Sequence, residues 1–576
     1  MRNVHCLPLV VICLLAARIG WAELTLTARI EAELRAGKID HQTALLYKAY
    51  SLFEPSRLPP EYREKVELRK SGTPIIVELK AGWEKLDESA QRLLAPYLAR
   101  PARGFHCLSP GGKFRIHYDL SGKNAVEETD NDYNGIPDYI DQVAAVFDSC
   151  FVLEVETLGY QAPPSDGFEG GGPEYDVYVT DLSGKRVCGY TYPDRLLPSG
   201  SGCTSYIEID NNYTDSVYWS TKGIDALRVT AAHEFFHAIQ FSYYAGEDAN
   251  WWREVCSTWM EDVAYDYVND YYHYLSGFFN RPQTSLDTVD GKYEYGASVF
   301  AHYLAKRFGK DVIRRIWERI GQKGTASLSV FDEVIPGGMA SAVEEFSLWN
   351  CYTGSRADTV RYYPEGAHYP EVAFQAVHKQ YPAEGSGSVG HLAASYVGFK
   401  PQKEAVGGLR IDPHGSRGNW SFQVSCFPSE ERPLTTTDVA AWNRYTQIVL
   451  ILTQTSFKGG PFSYSYWAEF DPDLTGKEPL TAVLRQNWPN PFDIRETSKT
   501  TIPFDLASPA DVILSIYSVN GQLVRREELG PLSPNSYHNL SWDGKDQQGR
   551  PVASGIYFYQ IKANNFTDTR KMLLIK

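Results

Sequence analysis

Five consecutive residues constrain this chain more than any other feature: His233-Glu234-Phe235-Phe236-His237. The stretch around them, residues 225–244, has no proline and carries apolar residues at helical spacing, which predicts an α-helix. On a helix, positions i and i+4 share a face, so His233 and His237 can aim imidazole nitrogens at one Zn²⁺. Glu234 then stands beside the metal rather than on it, where a general base must be to take a proton from water.

A catalytic zinc needs a third protein ligand and one open position. The extended form with glycine and a third histidine is absent, because Gln240 and Tyr243 hold those positions. A second helical stretch, Trp251 to Asp262, follows after a turn and offers Glu254 and Glu261. These two lie on nearly the same helical face but about 10 Å apart along the axis, so one metal takes one of them. Glu254, near the start of the returning helix, is preferred. Thr258 and Glu261 become candidates for orienting a ligand histidine.

Residues 1–22 predict a cleaved export signal. Arg2 gives a positive start, Leu7 to Ala17 an apolar core, and Gly20-Trp21-Ala22 small residues before a cut. That run is too short to span a bilayer, and no later run reaches 18 apolar residues, so no transmembrane segment is expected. The formal charge of −15 argues against nucleic acid as a partner, since phosphate binding needs clustered Lys and Arg. Export makes cysteines candidates for disulfides, and Cys188 with Cys203, flanking a Pro/Gly/Ser-rich loop, is the expected local bridge.

With 576 residues the chain predicts several domains. Residues 23–105 read as a helical N-terminal segment, expected to be a removable pro-segment because it ends in a basic stretch, Ala99 to Gly104, suited to processing. Permanent packing of those helices on the core is the competing expectation. Residues 106–375 mix strands and long helices around the His-Glu motif. Residues 388–470 alternate in a strand pattern and predict a small all-β accessory domain. Residues 471–480 read as a linker, and 481–576 as a further β domain.

A second metal motif runs from 130 to 141. Asp130, Asp132, Asn134, Asp138 and Asp141 place oxygen atoms at loop positions 1, 3, 5, 9 and 12, with Gly135 at the sharp sixth position. Ile136 would give its backbone carbonyl, with its side chain anchoring the loop to the core. The pattern predicts a structural Ca²⁺ site pinning the entry to a helix over 139–155. Asp141 in place of the usual glutamate should weaken binding.

Two resemblances follow from these residues. HEFFHAIQ at 233–240, with WWREVCSTWMED at 251–262 and Tyr293 to Leu304, resembles the gluzincin side of the zincin metallopeptidases, and exported bacterial HExxH peptidases in particular. It implies a zincin-like catalytic domain, zinc on His233, His237 and Glu254, and a peptide or protein substrate. Tyr295, ahead of Tyr293, would donate to the tetrahedral oxyanion. Cys256 departs from the pattern, where a small residue is expected.

The C-terminal stretch, with Gln486 to Phe492, Ile516 to Gly521, Trp542-Asp543-Gly544 and Val552 to Phe558, resembles the FlgD-type immunoglobulin-like modules that serve type IX secretion as sorting domains. It implies secretion machinery as a partner and a secreted or surface location. The expected fold class is a multidomain α+β chain: a zincin-like domain, a small all-β domain and an Ig-like β-sandwich. The expected function is a secreted zinc metalloendopeptidase with Glu234 as general base. The alternatives are a surface binding or adhesion protein on a zincin-like scaffold, and a non-peptide hydrolase using the same zinc.

Overall fold

The computed structural model describes residues 25–63, 69–198, 200–214, 220–428, 437–475, 482–495, 497 and 499–576. The expected signal 1–22 and residues 476–480 of the expected linker lie outside them. The chain forms two compact units. One holds residues up to 250 with 263–268 and 289–293; the other holds 251–262, 269–288 and 294–576. Among the described residues no helix is long and apolar enough to cross a membrane.

The first unit opens with α1 (Leu26–Arg35), α2 (His41–Phe53), α3 (Pro60–Arg63), β1 (Arg69–Ser71), α4 (Thr73–Ala81) and α5 (Glu88–Leu98). The side chains of Thr25, Asp40 and Asp87 accept first-turn amide protons at the starts of α1, α2 and α5, satisfying donors the helix leaves open. Then follow β2 (Phe105–Leu108), β3 (Phe114–Tyr118), α6 (Asp138–Phe151), β4 (Tyr175–Thr180), β5 (Val187–Leu196), β6 (Cys203–Asp210) and α7 (Gly223–Tyr243).

Six of these elements make one sheet in the order β1-β5-β6-β4-β3-β2. Strands β3, β4 and β6 run parallel, whereas β5 runs antiparallel to β6 and parallel to β1. The sheet is covered on both faces. On one, Phe114 of β3 meets Phe147 of α6 and Phe235 of α7 at ring distances of 5.3 and 5.1 Å. On the other, Tyr178, Tyr190, Tyr192 and Tyr206 pack with Leu52, Phe53, Ile75, Ile76, Leu79 and Leu94 of the N-terminal helices. Period-two alternation along β5 therefore sends Tyr190 and Tyr192 to the helical segment, and Gly189 and Thr191 to α7.

One expectation, the disulfide, is corrected here, and another gains detail: in the stretch from Ala99 to Gly104 the residues Ala99, Ala102 and Gly104 are exposed, but both arginine side chains are engaged. Arg100 pairs with Asp166 at 2.6 Å, Asp194 at 3.1 Å and Asp176, while Arg103 donates to the Val179 carbonyl at 2.8 Å. Three buried or half-buried carboxylates draw Arg100 inward. The bridge from Cys188 to Cys203 is absent, and none of the seven described cysteines is in a disulfide. The β5–β6 register pairs Cys203 with Leu196 and puts Gly189 opposite Ile209, so Cys188 lies at the far end of the ladder.

Helix α8 (Asn250–Tyr265) gives its middle residues to the second unit and its ends to the first. The second unit adds α9 (Tyr272–Phe279), most of α10 (Tyr293–Gly296), α11 (Val299–Phe308), α12 (Asp311–Lys323), α13 (Leu328–Val334) and α14 (Gly338–Cys351). Its strands β7 (Ala376–His378), β8 (Ala383–Val389), β9 (Ala393–Phe399), β10 (Gly408–Gly415), β11 (Trp420–Phe427), β12 (Gln447–Gln454) and β13 (Phe462–Asp471) form two sheets, β10-β13-β8 and β11-β12-β9-β7. This sandwich begins before residue 388. Strand β8 is low in apolar residues because Gly385 and Gly387 lie under the rings of Tyr466 and Tyr464, where a Cβ would come within 2.3 and 2.5 Å of the hydroxyls.

The C-terminal domain pairs β14 (Val483–Leu484), β16 (Thr500–Leu506) and β19 (Asn535–Trp542) in one sheet. The other holds β15 (Phe492–Asp493), β17 (Ala510–Ser518), β18 (Leu523–Leu532), β20 (Gly555–Ala563) and β21 (Phe566–Ile575). Leu484, Phe504, Ile516, Trp542 and Tyr559 form its core. Asn520-Gly521 makes the tight turn between β17 and β18, with Gly521 at φ 77°.

Arg100→Met tests the ion cluster, because it leaves carboxylates without their shared cation. The expected loss is about 3 kcal/mol, read as a lower urea midpoint of the first unfolding transition.

Candidate metal centre

Helix α7 owes its burial to position: from Val229 to Tyr243 every residue is buried. That explains why its motif region carries so little charge. His233 and His237 stand one turn apart with ring centroids 4.6 Å apart and planes at 90°. They are 1% and 0% exposed, and Glu234 is 0% exposed.

His237 Nδ1 lies 2.9 Å from Gln240 Oε1. An amide oxygen only accepts, so Nδ1 carries the proton and Nε2 keeps its lone pair, the arrangement a metal-binding imidazole needs. Gln240 is thus the residue sequence reasoning missed while noting that it displaces a glycine. Its signal was available: a polar side chain three positions on, in an apolar run.

The imidazole nitrogens of His233 and His237 and a carboxylate oxygen of Glu254 all lie within 4.8 Å of one another. Two neutral imidazoles and one carboxylate fit a zinc ion with an open position. Glu254 belongs to this group; Glu261, 2% exposed on the same helix, does not. Thr258 is buried at 0% exposure, as is Cys256, whose thiol burial pushes well above its usual range. Tyr295, in the second unit, is 1% exposed with its ring centroid 5.2 Å from Tyr274.

Glu234 is gripped from β5 and from the β1–α4 junction. Its Oε2 accepts from Thr191 Oγ1 at 2.7 Å and from Thr73 Oγ1 at 3.2 Å. Thr73 Oγ1 in turn accepts the Thr191 amide proton at 2.9 Å, which directs its own proton to the carboxylate. A buried carboxylate is costly unless hydrogen-bonded, and these donors offset that cost. Gly189 makes the approach possible: a Cβ there would sit 2.8 Å from Glu234 Cγ and 2.9 Å from Thr230 Cγ2. Thr73, Thr191 and Gly189 lie far from the motif in sequence, so no spacing rule finds them.

In the acidic loop, carboxylate oxygens of Asp130, Asp132 and Asp138 lie within 4.8 Å of one another. Asp141 stands apart from that group and accepts from Asn134 Nδ2 at 3.0 Å. Ile136 is half-exposed; the neighbours that anchor the loop are Pro137 and Ile140, both buried. Tyr139 adds a tie by donating to the Asp210 carbonyl at 2.6 Å, so the loop and the start of α6 hang on the end of β6. Three oxygen donors at this spacing suit a hard cation such as Ca²⁺.

Residues 210–335, which contain all the candidate zinc ligands, match a family of unknown function, DUF6055. Residues 491–566 match the FlgD Ig-like domain, and the C-terminal β-sandwich is a domain of that kind. The basal-body rod modification proteins FlgD of Salmonella typhimurium and Salmonella typhi are each 39% identical over 70 residues. That match covers 12% of this chain, and the chain spans 30% of the length of those relatives. Among solved structures, FlgD of P. aeruginosa is 23% identical over 16% of this chain and 74% of its own, with a TM-score of 0.13. PorZ, described as an essential surface component of the type-IX secretion system of Porphyromonas gingivalis, is 19% identical over 22% of this chain and 14% of its own, also at 0.13.

Two outcomes are expected. Glu254→Ala loses zinc in elemental analysis while Glu261→Ala keeps it, and Gln240→Ala lowers zinc affinity about 10- to 100-fold. Added calcium raises the melting temperature of the wild-type protein but not that of the Asp130→Ala, Asp132→Ala double variant.

Proposed function

We propose that this chain is an exported zinc metalloendopeptidase, with its C-terminal FlgD Ig-like domain serving delivery to the cell surface or medium. The observation that carries the reading is the group of His233, His237 and Glu254 with Glu234 beside it on the same helix. A zinc ion held there would act as a Lewis acid on a peptide carbonyl and make a water molecule acidic enough to attack it. His233, His237 and Glu254 would be its ligands, and Gln240 would keep the His237 imidazole in the ligating tautomer.

Glu234 then works as a proton carrier. It takes the proton of the attacking water on its carboxylate and delivers it to the departing amine nitrogen. Thr191 holds the Oε2 oxygen, which orients the carboxylate. The surrounding burial excludes bulk water and strengthens each of these interactions. A scaffold serving only adhesion has no need of a buried carboxylate at position 234, which favours catalysis. Export is supported by the residue pattern of 1–22 and by the FlgD Ig-like domain. The calcium-type loop would stabilise the α6 entry rather than take part in the chemistry.

Glu234→Gln separates chemistry from binding. The variant is expected to keep zinc and its melting temperature while hydrolysis of an unfolded protein substrate falls by about 10²-fold or more. Chelator is expected to silence the wild type. Undiminished hydrolysis in Glu234→Gln overturns the assignment of the base.

A further inference from the structure

We propose that residues 69–73 occupy, within the same chain, the place where an extended polypeptide substrate docks on the outer edge of β5, so that the full-length chain is latent. This rests on the peptidase reading of the His-Glu site and adds its regulation.

The argument starts from the requirement that a substrate backbone reach Glu234. The strand lying on Glu234 is β5, through Gly189 and Thr191. One edge of β5 is paired with β6. An extended chain adds to a sheet by backbone hydrogen bonds along an open edge, which leaves the other edge of β5 as the docking line. The chain's own β1 fills it: Arg69 pairs with Val187 and Ser71 with Gly189. Arg69 N–H donates to the Arg186 carbonyl at 2.9 Å and Gly72 N–H to the Gly189 carbonyl at 3.1 Å. Immediately after, Thr73 places its hydroxyl on the Glu234 carboxylate.

The result is closure. Ser71 is 2% exposed and Thr73, Glu234 and His237 are 0% exposed, and with β1 paired to β5 this edge gives a substrate no way to the base. The segment turns around the sheet edge at Gly72, whose φ of −93° is open to any residue. What demands glycine there is contact: a Cβ would stand 2.3 Å from Tyr190 Cδ1 and 3.0 Å from Leu52 Cδ1. Strand β1 is only three residues long; Arg69 also reaches Ser51 Oγ at 3.4 Å and Thr73 also accepts the Thr191 amide proton, while Leu52, Phe53, Leu79 and Leu94 of α2, α4 and α5 keep their own apolar contacts with the opposite sheet face. Lifting residues 69–73 opens the edge, with Ile75 and Ile76 of α4 remaining in the core.

Gly72→Val forces the segment from β5 by contact, and Thr73→Val removes its bond to Glu234 at nearly constant volume. Hydrolysis of an internally quenched peptide is expected to rise about tenfold in Gly72→Val, and less in Thr73→Val, as the open fraction grows. A synthetic peptide with the sequence of residues 69–76 is expected to restore inhibition to Gly72→Val. Hydrogen exchange supplies a readout independent of activity: the Thr191 amide, protected in the wild type, exchanges faster in Gly72→Val while α7 stays protected. Activity that falls in both variants at unchanged zinc content assigns Thr73 to positioning Glu234 and overturns latency. Global loss of protection in Gly72→Val makes β1 an integral strand and overturns it as well. If wild type and variants all bind zinc and hydrolyse nothing, the peptidase reading fails, and the Thr191 exchange still decides whether 69–73 is a displaceable occupant.

Discussion

A carboxylate with no solvent exposure organises the first unit. Removing a charge from water costs several kcal/mol unless it is met by donors, and Glu234 is met from two directions. That demand sets the distance between α7 and the sheet, and Gly189 is the residue that permits it. It also sets the register of β5, since only odd positions reach the helix face and Thr191 must be one of them. Shifting β5 by one residue would swing Thr191 to the tyrosine-lined face and aim Tyr190 or Tyr192 at the carboxylate. The junction of β1 and α4 completes the arrangement from a part of the chain 161 residues away.

The two faces of the sheet divide the work. The face toward α6 and α7 holds phenylalanines and the site, whereas the opposite face holds tyrosines under the N-terminal helices. Arg100 fastens the end of that helical segment by pairing with three carboxylates. A segment bound by a shared apolar core and by such an ion cluster is held far more firmly than a flexible leader. Latency then operates through local lifting of residues 69–73 rather than through loss of the whole segment. The two β domains of the second unit each have a separate apolar core, and no candidate catalytic group comes from either.

The secondary structure around the motif was legible from sequence because it depends on local rules. Apolar spacing located α7 to within two residues at its start and one at its end, and the strand alternation over 388–470 marked the region that holds β9 to β12. The pairing of His233 with His237 follows from helix geometry alone, and the acidic loop from fixed offsets around Gly135. Strand β8 was not legible, since glycines under tyrosine rings replace the apolar signal. The disulfide expectation failed because proximity in sequence says nothing about which end of an antiparallel ladder a residue occupies.

By itself, then, the sequence determined which helix carries the candidate metal ligands, where the calcium-type loop turns, and that a β domain ends the chain. The sequence also preferred Glu254 to Glu261 as the third member of that group, whereas tertiary structure alone placed Gln240 on the His237 imidazole. It alone placed Thr73 and Thr191 on Glu234, and made Arg100 a half-buried ionic hub. The physical reason is range. Helical faces and loop offsets are fixed by covalent spacing over a few residues, whereas strand register and the partners of a buried charge depend on chain segments separated by tens to hundreds of positions.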